Sequence, residues 1–193
     1  MISRSSIVVA GLAALLLTDP ARADDVTDQI NEALKAYAKH DLTTASAALD
    51  AAGNLIRQAK GDSWKAMLPE PLPGWTAADA ESTVLGAAML GGATNVLRIY
   101  KKDSQSVEIS FMTDSPMMQG LGALMSSGLM TSDDNRLVVL DGRKTTYTKS
   151  DTSYTTMVGK VLVSVKGTGA DDADLRAYIK QIHFAELEKA SAG

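Results

Sequence analysis

The chain has 193 residues, no cysteine and a formal net charge of −4. Thiol catalysis, disulfide exchange, disulfide bracing and cysteine-based metal centres are therefore excluded. An acidic chain without a basic block is also a poor match to nucleic acid or to an anionic lipid surface.

The first residues read as a cleavable secretory signal, residues 1–23. Arg4 supplies a positive n-region, and Ile7 to Leu17 is an apolar run containing one glycine. That run is shorter than the roughly 20 residues needed to cross a bilayer. Ala21-Arg22-Ala23 then forms a small-x-small box before Asp24-Asp25, so a cut after Ala23 is expected. No cysteine follows the run, which argues against a lipoprotein anchor, and no twin arginine precedes it. The expected compartment is the periplasm, and the mature chain has no second stretch suited to a transmembrane anchor. Removing Arg4, Asp19 and Arg22 leaves it slightly more acidic.

Residues 24–66 are Ala-rich, and helical spacing recurs in Ile30, Leu34 and Tyr37 and again in Ala48, Leu49, Ala52 and Ile56. His40-Asp41-Leu42-Thr43 breaks the pattern, with Asp41 or Thr43 placed to cap a second helix. The prediction is an αα-hairpin. Its spacing of Ala33, Tyr37, Asp41, Ala45, Leu49 and Ala52 resembles one tetratricopeptide-type pair, without the further copies that a stack requires.

Residues 67–75 form a linker. Pro69, Pro71 and Pro73 enforce an extended connection, and Trp75 with Trp64 is expected to dock it on the core.

From residue 76 onward the period is two. Strands are predicted at Val96–Tyr100, around Val107, Ile109 and Phe111, at Leu137–Leu140, Thr145–Thr148, Ser153–Val158 and Lys160–Lys166. Asp141-Gly142 is a hairpin signal. Gly86, Gly91 and Gly92 suggest a bulged strand. A terminal helix follows, capped by Asp171 or Asp172, with Leu175, Tyr178, Ile179 and Ile182 as its apolar stripe.

The predicted class is α+β: an N-terminal αα-hairpin, then an antiparallel sheet with a helix between strands and a C-terminal helix packed on it. Leu72-Pro73-Gly74-Trp75, Asp114-Ser115-Pro116-Met117, Asp141-Gly142 and the valine strand running into an acidic helix cap carry a resemblance. The chain resembles the Mog1/PsbP-like group of domains, or uncharacterised periplasmic proteins that join a helical hairpin to such a linker and sheet. The resemblance implies a fold and a non-enzymatic accessory or binding role, and it brings no active site with it.

Catalytic and metal patterns are missing from the sequence. The two histidines, His40 and His183, sit in the hairpin turn and at the end of the terminal helix, where His183 would gain from the helix dipole when protonated. No serine elbow, paired-histidine zinc motif or calcium loop is present, and Asp133-Asp134-Asn135 reads as a turn. Gly91-Gly92 and Gly167-Thr168-Gly169 lack the spacing of a phosphate loop. No cofactor, metal site or catalytic residue is expected.

One segment is unusual. Ser115–Ser132 carries Met117, Met118, Met125 and Met130, follows Met112, and has no charged residue. Pro116 suits a first helical position, while Gly120, Gly122 and Gly128 weaken a helix. Three readings stand open here: a buried cross-sheet helix filled out by methionine, an adaptable apolar binding surface, and a Cu(I) site of soft thioethers. Met112, Met117, Met118, Leu121, Met125 and Met130 are the candidate ligand- or partner-contacting residues.

The expected function is a non-enzymatic periplasmic binding or accessory protein. It would engage a periplasmic protein partner or a hydrophobic small molecule through the Met/Gly/Ser-rich segment, with the helical hairpin as a second contact surface. Alternatives are an enzyme whose Asp114, Lys144, Tyr147 and Tyr154 converge only in the fold, or a periplasmic Cu(I) carrier.

Overall fold

A computed structural model describes residues 20–85, 92–113 and 131–192, together with Ser115, Gly120, Leu124 and Ser127. Helix α1 (Pro20–Ala38) and helix α2 (Leu42–Trp64) form the hairpin. Proline at the first position of α1 gives up no internal hydrogen bond, because the first turn has no acceptor for it. The helix ends with His40 in the left-handed region (φ 60°), and Asp41 N–H reaches back to Ala36 C=O at 3.0 Å. This is a Schellman-type stop with histidine at the position that glycine usually takes, so His40 has a structural place in the turn. Asp41 then caps α2: its carboxylate accepts from Thr44 N–H at 3.0 Å and from Thr44 Oγ1 at 2.7 Å.

A 3₁₀ turn at Lys65–Met67 leads into the proline segment. The segment is fastened to the sheet by polar contacts. Pro69 C=O accepts from Tyr100 Oη at 2.6 Å and from Arg98 Nη1 at 3.4 Å. Trp75 meets Tyr178 edge-on at 5.5 Å, and Tyr178 lies 4.5 Å from Tyr100. Trp64, Leu68 and Trp75 belong to the same buried cluster as the strands.

Eight antiparallel strands follow: β1 (Thr76–Ala77), β2 (Glu81–Val84), β3 (Thr94–Lys102), β4 (Gln105–Thr113), β5 (Asn135–Leu140), β6 (Arg143–Thr148), β7 (Ser153–Val158) and β8 (Val161–Thr168). Their order is β1-β3-β4-β8-β7-β6-β5, with β2 also pairing with β3. Sequence pattern had no purchase on β1 and β2, which are short and half-exposed. The Asp141-Gly142 signal is met by a turn with both residues at positive φ (47° and 75°).

One face of the sheet is apolar. Val96 pairs with Phe111, Phe111 with Val163, and Val163 with Thr156, all pointing the same way. Helix α2 covers β2 and β3 on this face, while α3 (Asp172–Gln181) and α4 (Phe184–Ala192) cover β7 and β8. Leu175, Tyr178, Ile179 and Leu187 complete the core. The architecture is α+β, with helices layered on one side of an antiparallel sheet.

The single terminal helix expected from sequence is two. Ile182 N–H bonds to Ile179 C=O and closes α3. His183 C=O then accepts from Glu186 and Leu187, which opens α4. His183 therefore sits at the start of a helix as well as just past the end of one. The gain expected for a protonated histidine at a helix C-terminus is opposed by the N-terminus of α4.

Candidate functional site

The hairpin separates small from large residues. Ala33 and Ala36 of α1 and Ala45, Ala48 and Ala52 of α2 are buried. The large residues on neighbouring helical positions are left outside: Ile30, Leu34, Tyr37, Leu42, Leu49 and Ile56. Leu34 and Tyr37 are 63% and 66% exposed. At about 100° per residue, Ile30, Leu34 and Tyr37 fall within a narrow arc of α1, as do Leu42, Leu49 and Ile56 of α2. Each arc is displaced from the alanine seam in the same rotational sense. Because the helices are antiparallel, both arcs emerge on the same side of the seam. The result is one apolar flank made by both helices. Helix α1 packs chiefly on α2, so nothing from the sheet shields it.

Six large apolar side chains on one flank exceed the scattered single exposures normal for a protein surface. Sequence spacing had identified these positions as helical. What it lacked was the preference of a close helix–helix seam for alanine, which turns the larger members of the stripe outward.

Of the Met-rich candidates, Met112 is described. It lies half-buried on β4, on the sheet face away from the helices, and registers with Asn95 and Leu162. Leu162 pairs in turn with Met157, so three soft side chains form a row across that face. Met117, Met118, Leu121, Met125 and Met130 lie outside the described residues.

The residues proposed as a dispersed active site do not converge where they can be followed. On β6, Lys144 and Tyr147 are an odd number of residues apart and point to opposite faces of the sheet. Asp114 lies outside the described residues. Tyr147 and Tyr154 do meet, as a cross-strand pair with ring centres 4.9 Å apart. Arg136 stacks on Tyr147 and Arg176 on Tyr154. Tyr154 Oη donates to Asp172, which also accepts from Arg176 Nε at 2.6 Å.

Burial, then the bond to Asp172, pushes the Tyr154 phenol up to about 12. Burial also pushes the Asp172 carboxyl up, but the hydrogen bonds from Tyr154 and Arg176 outweigh it and hold Asp172 below the usual carboxylate range. A phenol raised this far is a poor proton donor or nucleophile near neutral pH. The ladder ties the first turn of α3 to the sheet.

Two openings can be followed. Beneath Tyr154, between Thr156 and Phe184, lies about 10 Å³ of space, room for roughly one water. Between the proline segment and α4 runs an open groove of about 330 Å³ lined by Met67, Glu70, His183 and Glu186 among others. It is as polar as it is apolar, whereas small-molecule sites are mostly apolar and enclosed. Among the described residues no three His, Asp or Glu side chains gather so as to hold a metal ion. No described helix is long and apolar enough to cross a membrane. Comparison of the chain with protein-family models, with curated proteins and with solved structures returned no match.

Proposed function

We propose that this chain is a non-enzymatic binding or accessory protein of the periplasm, and that it docks a protein partner on the apolar flank of its helical hairpin. The observation that carries the reading is the outward-turned set Ile30, Leu34, Tyr37, Leu42, Leu49 and Ile56. The flank is broad and unenclosed, which suits the apolar face of a protein better than a small molecule. The same reading gives Ser115–Ser132 the part of a second, adaptable contact carried by its methionines. The resemblance to accessory domains agrees with this by analogy.

A photo-crosslinking residue placed at Leu34 or Leu49 in exporting cells tests the proposal, with Lys166 on the far sheet face as the control position. The expected result is a discrete adduct from both hairpin positions, none from Lys166, and loss of the adduct when Tyr37→Glu is added. Exposed positions of this kind change stability by no more than about 0.5 kcal/mol, so Tyr37→Glu should fold normally. A folded protein that gives no discrete adduct from either hairpin position refutes the docking role.

A further inference from the structure

Among the described residues, four buried side-chain polar atoms have no hydrogen-bond partner: Arg57 Nε, Ser82 Oγ, Thr94 Oγ1 and Asn95 Oδ1. Orphans of this kind are rare in folded proteins, because each forfeits its hydration without replacement. Three of the four gather in one corner, where α2 crosses the ends of β2 and β3. Arg57 and Gly61 are one turn apart on the sheet-facing side of α2, and Gly61 lies directly over Ser82 and Thr94. Thr94 is fully buried.

The arginine is the informative member. Its guanidinium is flanked by two glycines: a Cβ at Gly92 would stand 3.5 Å from Cζ, and one at Gly53 would stand 3.4 Å from Nη1. Gly92 is at φ +93°. Nη2 gives one hydrogen to Asn54 Oδ1 at 2.7 Å, while Nε–H has no acceptor. The other cations of the sheet and its helices, Arg98, Arg143, Lys166 and Arg176, each have a carboxylate within 4 Å, whereas Arg57 has none among the described residues. The Nε/Nη2 edge is the one that takes a carboxylate or phosphate in two parallel bonds. Asn54 is exposed and Arg57 is half-buried, so the edge can be reached from solvent beside the helix.

We infer that Arg57, with the buried hydroxyls of Thr94 and Ser82 beneath the same helix, forms a binding site for a small oxyanion, a carboxylate or a phosphate. The site is separate from the apolar flank and gives the chain a second kind of ligand. A close-packed glycine on either side leaves the guanidinium accessible to a flat or compact anion and too confined for a bulky one.

Calorimetric titration of the mature protein at low ionic strength tests this, with sodium acetate and inorganic phosphate as separate probes and chloride as the reference salt. Wild type should bind one equivalent saturably. Arg57→Lys, which keeps the charge and loses the two-pronged edge, should weaken binding by about tenfold, and Arg57→Gln should abolish it. Lys166→Gln, on the far face, should bind as wild type does. Preference for acetate points to a carboxylate ligand, and preference for phosphate to a phosphorylated one; either supports the site.

Three results overturn the inference. No saturable binding by folded wild type means that water alone serves these atoms. Equal binding by wild type and Arg57→Gln places the anion elsewhere. Binding that appears only in Asp114→Asn means that the chain's own carboxylate, one residue beyond the Thr113 that pairs with Thr94, occupies the edge.

Discussion

Gly61 marks the closest approach of α2 to the sheet, and replacing it by alanine isolates what that approach is worth. A Cβ at Gly61 would stand 2.1 Å from Ser82 Oγ and 2.8 Å from Thr94 Cγ2. Ser82 can turn its hydroxyl away. Thr94 cannot: it is β-branched, fully buried, and held in register between Val84 and Thr113. Restoring ordinary carbon–carbon contact requires α2 to lift by roughly 0.7 Å over β2 and β3. Overpacking of this kind costs about 1–3 kcal/mol, and the helix recovers about 1 kcal/mol from losing an interior glycine. The net expectation for Gly61→Ala is a loss of about 1 kcal/mol, or roughly 3 °C in Tm. Gly53→Ala is the matched control. Its Cβ meets only the tip of the Arg57 side chain, at 3.4 Å, so the propensity gain should dominate and Tm should hold or rise. Calorimetry on both variants decides it. A Gly61→Ala protein as stable as Gly53→Ala would show that the helix does not rest on Thr94 as described.

Tyr100→Phe should cost about 1–3 kcal/mol in urea unfolding, because it strips the short bond from the buried Pro69 carbonyl and leaves only the long Arg98 contact. Ser82→Ala should be neutral, or stabilising by up to about 1 kcal/mol, since its buried hydroxyl has no partner. Asp41 is held below the usual carboxylate range first by the Thr44 amide and then by the Thr44 hydroxyl. Its folded value is the lower one, so the cap contributes fully above the unfolded value and is lost as pH falls through the depressed one. Wild type should therefore lose helical circular dichroism in acid sooner than Asp41→Asn, which keeps the acceptor and does not titrate. Tyr154, pushed up to about 12, works with the opposite sign: its contribution is present below the ordinary phenol value near 10 and fades as pH climbs through 12. Difference spectra of wild type against Tyr154→Phe should place that ionisation well above a free phenol, and Asp172→Asn should bring it down.

The long strands were legible because each has one dry face. Val107, Ile109 and Phe111 alternate with half-exposed residues, and so do Val161, Val163 and Val165. β1 and β2 were not, because their existence depends on the outer edge of β3 and not on a pattern of their own. The break between α3 and α4 was equally hidden. Nothing in Gln181-Ile182-His183-Phe184 is a helix breaker, and the stop is set by burial of Ile182 together with a new cap at His183. The Arg57 corner had no local signal at all, since Arg57, Ser82 and Thr94 become neighbours only when α2 lies down on the sheet.

The apolar flank illustrates a different limit. Periodicity locates a stripe on a helix but says nothing about which part of the stripe faces inward. In α1 the candidates ran from Ile30 to Tyr37 on one side and from Ala33 to Ala36 on the adjacent side. Burying the leucines would satisfy more apolar area, about 25 cal/mol for each Å² covered. A seam of alanines lets the two backbones approach closely, and once they do, leucine and tyrosine do not fit between them. The choice is self-reinforcing along the hairpin: Ala48 and Ala52 face Ala33 and Ala36, and Leu42, Leu49 and Ile56 are carried to the same side as Leu34 and Tyr37. A hairpin selected only for stability would place its largest side chains in the seam. This one keeps them out along the whole length of both helices, and that arrangement makes sense if the flank is covered by another protein when the chain is at work.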